Sequence, residues 1–281
     1  MMEQSARSAL VTGASTGIGA ATVAELVSRG FRVWAGVRGE DAAARLAEEY
    51  GDRVRVLRLD VTDPEAVAAA GEQVTAAGPL HGLVNNAGVA LPGPLEFLPV
   101  AALREQLEVN LLGQLAVTQA MLPALRAAHD PAGRIVMVGS IGGRIAAPML
   151  GAYHAAKFGL VGLTDTLRAE LAPWRIRVIL IEPGAIATPI WTRGGAAADR
   201  LAEQMPARAR DLYAGQIVQA RKDAARSARH GLPPAAAAVI ARALTDPRPR
   251  PRYLVGRDAL AASMIARLPY RLRYRLTAAR P

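Results

Sequence analysis

Tyr153 and Lys157 stand four residues apart in "YHAAK", a spacing that puts both on one face of any helix containing them. A phenol beside an ammonium is a proton-transfer pair. The positive charge favours phenolate, so Tyr153 could exchange a proton with a substrate oxygen near neutral pH despite a reference pKa of about 10. The bland alternative, a surface tyrosine near a solvated lysine, is weakened by rarity, because Lys157 and Lys222 are the only lysines in the chain. Ser140 closes the apolar run "GRIVMVGS" just upstream. Its hydroxyl is either an ordinary turn group or a hand that holds the substrate oxygen beside Tyr153. A second constellation is "TGASTGIG", Thr12 to Gly19, between an apolar run and a helical stretch. Gly13, Gly17 and Gly19 permit a tight turn that brings a helix N-terminus, with its free N–H groups and positive dipole end, against a phosphate. The spacing is G-x-x-x-G-x-G and not the common G-x-G-x-x-G, so taken alone it reads equally well as a simple turn.

These residues need a scaffold, and the chain supplies an alternation of short β-branched runs with longer Ala/Leu-rich stretches. "SALVTG", "FRVWAGV", "RVRVLRLD", "HGLVNN", "GRIVMVGS", "IRVILIEPG" and a late "RYLVG" read as strands. Residues 17–29, 41–49, 64–77, 99–128 (one or two helices), 151–172 and 234–245 read as helices, that at 64–77 opening with Asp63 as N-cap and Pro64 at the first helical position. Regular βαβα alternation with uniformly apolar strands predicts a Rossmann-like, doubly wound parallel sheet with helices on both faces, as a single domain over residues 1–281. After Gly184 the rhythm breaks. Residues 189–233 hold no strand, and a connection of that length beyond a strand's carboxyl end is expected to be functional, here as a substrate lid.

Composition narrows the function classes. The chain has 281 residues, 51% of them hydrophobic, and 26 glycines, the profile of a protein with a sizeable core. The net charge of +10 is spread along the chain and becomes dense only after Arg242, without a basic helix interleaved with stacking aromatics, so nucleic acid is not expected as a partner. Cysteine is absent and the four histidines are scattered, which excludes disulfides and thiolate metal sites and leaves no expected metal. No run of about 18 apolar residues occurs and the first residues lack a signal-peptide pattern, so a soluble cytoplasmic protein is expected.

With "NNAG" at Asn85 to Gly88, Asn110 in "VNLLG" and "EPGAIATP" at Glu182 to Pro189 added, six motifs stand in order, and over residues 7–190 the sequence resembles the short-chain dehydrogenase/reductase superfamily, in its single-domain branch. "RYLVGRDA" and the flanks of the Tyr153 motif look most like hydroxysteroid and retinol dehydrogenases. The resemblance implies an NAD(P)-dependent oxidoreductase interconverting a carbonyl and an alcohol. In it Tyr153 is the general acid/base, Lys157 lowers its pKa and bonds the nicotinamide ribose, Ser140 polarises the carbonyl, and Asn110 holds a water of the proton relay. It also implies cofactor contacts from Gly13, Ser15, Thr16, Gly17, Ile18 and Gly19 in the loop, Asp60 and Val61 near the adenine, Asn86, Ala87 and Gly88 along the cofactor, and Pro183, Gly184, Ile186 and Thr188 near the nicotinamide. His154 and Ala156 stand where many relatives carry a small residue and Ser, and neither is expected to do chemistry. A cofactor-binding regulator without turnover is the alternative, and the intact Ser, Tyr and Lys set speaks against it.

In this family an acidic residue at the end of the second strand selects NAD, and a basic one faces the extra phosphate of NADP. Here Val37 is followed by Arg38, so NADP(H) is the expected preference, with NAD(H) possible and reduction the expected direction. The substrate is expected to be bulky and lipophilic. Its pocket and lid would be built from Ile190, Trp191, Leu201, Met205, Leu212, Tyr213, Ile217 and Val218 together with the basic tail at 259–281, which either packs on the domain or, less expectedly, rests on an anionic membrane. Ala- and Leu-rich helices at 99–128 and 151–172 suggest a homodimer or homotetramer.

Overall fold

The structure, a computed structural model, describes residues 7–129 and 132–277. Seven parallel strands form one sheet: β1 (Ser8–Thr12), β2 (Arg32–Val37), β3 (Val54–Arg58), β4 (Gly82–Asn85), β5 (Arg134–Val138), β6 (Arg177–Pro183) and β7 (Arg252–Val255). Their order is β3-β2-β1-β4-β5-β6-β7, with Leu10 of β1 paired to Trp34 on one side and to Leu83 on the other. Successive side chains on a strand point to opposite faces, which is why the core splits in two. Val11, Val136 and Ile179 pack on one face with Val23 and Leu26 of α1 (Gly17–Ser28) and Ile240 of α9 (Pro233–Thr245). Leu10, Ile135 and Leu180 pack on the other with Met121 of α5 (Gly113–Ala127) and Leu160 of α6 (Gly151–Glu170). Each such buried side chain contributes about 1.5–3 kcal/mol. The chain thus has the doubly wound α/β fold expected from the strand pattern.

Local chemistry explains the remaining helices. At α3 (Pro64–Ala76) the Asp63 carboxylate accepts from the N–H groups of Glu65 and Ala66 at 2.9 and 3.2 Å, the capping read from sequence. The 99–128 stretch resolves into α4 (Val100–Leu107) and α5, joined by a π-helical turn at Glu108–Leu112 that contains Asn110. Such single π turns gather at functional sites. α2 (Glu40–Tyr50) lies between β2 and β3. Residues 189–233 contain no strand, as expected, and fold into α7 (Ile190–Gln204) and α8 (Ala207–Ser227). The tail forms α10 (Arg257–Ile265) and α11 (Tyr270–Thr277), the latter with no buried residue. Residues 278–281 of the expected tail lie outside the described residues. Among the described residues no helix is long and apolar enough to cross a membrane.

Candidate active site

A cavity of about 930 Å³ opens at the carboxyl ends of β1 and β4, where the strand order reverses and folds of this kind bind ligands. Every site residue expected from sequence lines it except Gly19. The glycine loop forms one end. Gly13 and Gly17 have φ of +63° and +59°, a region that side chains with a Cβ disfavour, and a Cβ on Gly17 would lie 2.9 Å from Thr188 Cγ2. Gly19 serves packing: a Cβ there would collide with the Gly13 carbonyl and come within 2.6 Å of Asn86 Nδ2. Asn86 donates from Nδ2 to the Thr12 carbonyl at 2.9 Å, while Thr12 Oγ1 accepts from the N–H groups of Asn86 and Ala87. Thr12, which carried no role in the sequence reading, therefore locks "NNAG" to the loop. This narrow, backbone-lined cradle at the start of α1 fits a dinucleotide's phosphates.

Where the cavity passes the ends of β2 and β3, Arg38 Nη1 lies 3.8 Å from Asp60 Oδ2, and most of the Arg38 side chain is exposed. Burial alone would push the Asp60 carboxyl up, but the Thr62 N–H and hydroxyl and the Arg38 guanidinium together hold it below its ordinary value. Arg45 of α2 reaches across to donate to the Ser15 carbonyl at 2.6 Å and also lines the cavity. A second guanidinium thus stands here, one that no motif announced.

Elsewhere along the cavity Tyr153 and Lys157 share a face of α6, as their spacing requires, but their electrostatics differ from the expectation. Lys157 Nζ sits 5.8 Å from the centre of the Tyr153 ring and donates to the Val138 carbonyl at 2.9 Å. Burial lowers the Lys157 ammonium to about 8. Burial also raises the Tyr153 phenol, against a lowering contribution from the Ser140 hydroxyl. Desolvation, not the neighbouring charge, thus governs the pair, and Tyr153 is held protonated. Ser140 caps a short 3₁₀ turn, Ile141–Gly143, its Oγ accepting from the Gly142 N–H at 3.0 Å, which leaves the hydroxyl proton free to donate. Asn110 is fully buried and engaged at both ends of its amide. Oδ1 accepts from the Val89 N–H and Nδ2 donates to the Val89 carbonyl, both at 2.9 Å. The Asn110 side chain thus braces the loop after β4. A residue that forms this brace has no signal in its own sequence neighbourhood.

A family model for short chain dehydrogenases matches residues 7–198. The chain belongs to the short-chain dehydrogenase family. It is 42% identical over 190 residues to a 3-amino-tetrahydro-pyrrolizinone reductase of Xenorhabdus hominickii, a match spanning 66% of this chain and 64% of that protein. It is 36% identical over 262 residues to the 17-beta-hydroxysteroid dehydrogenase type 6 of Bos taurus, spanning 89% and 80%. The crystal structure of a short-chain dehydrogenase from Streptomyces avermitilis superposes with a TM-score of 0.80 at 32% identity, covering 94% of this chain and 92% of that one.

In this short-chain dehydrogenase the segment expected to form a lid meets the cavity through Pro189 and α7. Of the apolar residues assigned to it, only Ile190 and Trp191 reach the cavity, both from the first turn of α7. Leu212 and Val218 on α8 are more than half exposed, and Tyr213 instead donates to Glu96 at 2.9 Å and meets the Phe97 ring edge-on. No described residue of the 259–277 tail lines the cavity. The cause is geometric. α7 follows β6 after a six-residue connection and lines the cavity as far as Arg200, with Gly194 packed against Ala90, whereas no residue of α8, which starts after Pro206, lines it.

Proposed function

We propose that this protein is an NADP(H)-preferring reductase that converts an apolar ketone or aldehyde to an alcohol, with Tyr153 as general acid and Ser140 as the hydrogen-bond donor to the carbonyl. The observation that carries the reading is that Ser140, Tyr153 and Lys157 line the same cavity as the glycine loop at the start of α1. When bound, the reduced nicotinamide would supply the hydride. The chain's own residues do the rest. Ser140 donates to the substrate oxygen, and Tyr153, kept protonated by burial, gives that oxygen its proton as charge develops. Lys157, fixed by Val138, is placed to hold the cofactor's ribose and to assist reprotonation of Tyr153. A protonated phenol at neutral pH suits a proton donor, which favours reduction.

Two features support the finer choices. Arg38 and Arg45 place two guanidinium groups at the adenosine end, where a 2′-phosphate would gain charge-assisted hydrogen bonds. The wall beside Tyr153 is made by Ala90, Leu150, Ile190 and Trp191, an apolar lining suited to a lipophilic substrate. The test is a panel of hydrophobic ketones and aldehydes followed by nicotinamide absorbance with NADPH and NADH. NADPH is expected to give the higher kcat/KM, Arg38→Ala to narrow the ratio, and Tyr153→Phe to abolish turnover while cofactor binding persists. Equal kcat/KM for the two cofactors, unchanged in Arg38→Ala, would defeat the preference. Activity confined to small polar carbonyls would defeat the substrate class.

A further inference from the structure

His154 follows Tyr153 directly, yet its side chain faces away from the cofactor cradle and into the loop that carries Ser140. It is buried, with 8% of its surface exposed, and both ring nitrogens are engaged. The Ala147 N–H points at Nε2 at 3.0 Å, and Nδ1 lies 2.8 Å from the Gly142 carbonyl. An N–H can only donate and a carbonyl can only accept, so one arrangement satisfies both contacts: Nε2 is the acceptor, and Nδ1 carries the proton. The imidazole is therefore neutral and in a single tautomer. Burial lowers its pKa, which keeps it so. Gly142 is the pivot. Its carbonyl accepts from His154 while its N–H donates to Ser140 Oγ at 3.0 Å. A Cβ on Gly142 would come within 3.1 Å of the His154 ring and 3.2 Å of the Tyr153 ring, so this residue is wedged between the two.

We propose that His154 is the positioning residue for Ser140. Through the backbone of Gly142 it fixes where the Ser140 hydroxyl points, and through Ala147 it anchors the far end of the same loop to the helix that carries Tyr153. Packing alone does not account for it. A leucine would fill comparable volume but would leave the Gly142 carbonyl and the Ala147 N–H without partners, and the loop would shift to find water. The hydroxyl would then be misplaced relative to the oxygen it must meet, while the glycine cradle would be untouched.

This inference rests on the carbonyl-reductase reading for its kinetic consequence, but not for its structural one. The experiment is a double-mutant cycle of His154→Leu and Ser140→Ala, read in two ways. For carbonyl reduction, His154→Leu is expected to lower kcat about tenfold or more, short of the roughly 10²- to 10³-fold that outright loss of such a donor costs, with the dissociation constant for the cofactor unchanged. In the Ser140→Ala background the same change should do little further. The second readout needs no turnover. Tyr153 ionisation is followed by NMR of protein carrying ¹³Cζ-tyrosine, assigned by difference from Tyr153→Phe. Because the Ser140 hydroxyl lowers the Tyr153 pKa, His154→Leu should raise it as Ser140→Ala does, and the double variant should raise it no further.

Equal kcat losses in both backgrounds, or shifts in Tyr153 ionisation that add, would overturn the proposal and make His154 a packing residue. If wild-type protein reduces no carbonyl, the functional reading fails while the titration still decides the role of His154. Should His154→Leu not fold, the comparison passes to His154→Asn and His154→Gln. The Asn amide can replace the Nδ1–H donor to Gly142, so it should retain most of the kcat and the native Tyr153 ionisation. The Gln amide reaches the Nε2 position and should retain neither. Equal behaviour of the two would also overturn the proposal.

Discussion

Burial and chemistry pull against each other at Lys157. An ammonium in the interior is held to about 8, well below its ordinary value, so in the folded protein it is charged at a cost that the unfolded chain does not bear. The sign follows from proton counting. Between the folded value of about 8 and the unfolded value near 10.4, the unfolded chain binds the extra proton, so raising the pH through this window stabilises the folded state. Below about 8 both states are protonated and the cost is present in full. Lys157→Met removes this dependence. We expect wild-type protein to gain about 2 kcal/mol relative to Lys157→Met between pH 7.5 and 10, measured by urea unfolding, while the variant loses activity at every pH. A stability difference that stays constant over that range would show that Lys157 is solvated in the folded protein. The same burial that depresses Lys157 raises the Tyr153 phenol.

At the scale of elements, the turn between β1 and α1 is held by contacts from distant segments, which is why its glycines are not interchangeable. Gly17 sits at φ +59° with Thr188 of the β6–α7 connection against it. Gly17→Ala would introduce left-handed strain of about 1–2 kcal/mol and push Thr188 outward from the cofactor. The expected result is a midpoint lowered by roughly 2–8 °C and dinucleotide binding weakened at least several-fold by calorimetry, both in the same variant. Gly215 makes the contrast. It lies mid-helix in α8, exposed, with no atom within 4 Å of where a Cβ would stand. Gly215→Ala should stabilise that helix by about 1 kcal/mol, read as slower amide exchange in α8, and leave kcat unchanged, because α8 does not line the cavity. A fall in kcat in Gly215→Ala would show that α8 must unfold or move during turnover.

Among the described residues apolar groups are exposed at several places, and two of these call for different explanations. Leu112 and Phe158, each nearly half exposed, flank the point where Leu111 packs over Gly159, so they form a small apolar patch where the π-helical turn at Glu108–Leu112 meets α6. A second copy covering this patch is the expected partner. Static light scattering at micromolar concentration should give a dimer or tetramer, and Phe158→Asp should lower that mass. A monomer in the wild type would leave the patch without this partner. The tail is different. On α11, Tyr270 and Tyr274 stack on one side of the helix, Leu272 and Leu276 lie on the opposite side, and arginines fill the positions between. A helix that lies on a bilayer needs one apolar face, and this one has two. Vesicles rich in anionic lipid are therefore expected to leave the protein in the supernatant at 0.15 M salt.

What the sequence by itself determined were the groups whose chemistry demands a residue type at a fixed local spacing. Tyr153 and Lys157 share a helical face because they are four apart, Asp63 caps α3 because it precedes Pro64, and apolar strands alternating with helices leave a parallel sheet as the way to bury both faces. Tertiary structure alone decided which of these groups are charged and what each touches. Arg45 meets the Ser15 carbonyl across 30 residues, Asn110 meets Val89 across 21, and Lys157 meets Val138 across 19. The same distance in sequence hid which part of 189–233 lines the cavity, because an amphipathic stretch looks alike whether its apolar side faces a cavity or packs on its neighbours. Protonation at Tyr153 followed the same rule. Spacing announced an ammonium near a phenol, but the pKa of each is set by how much water the fold removes from both, and that is a property of the packed molecule.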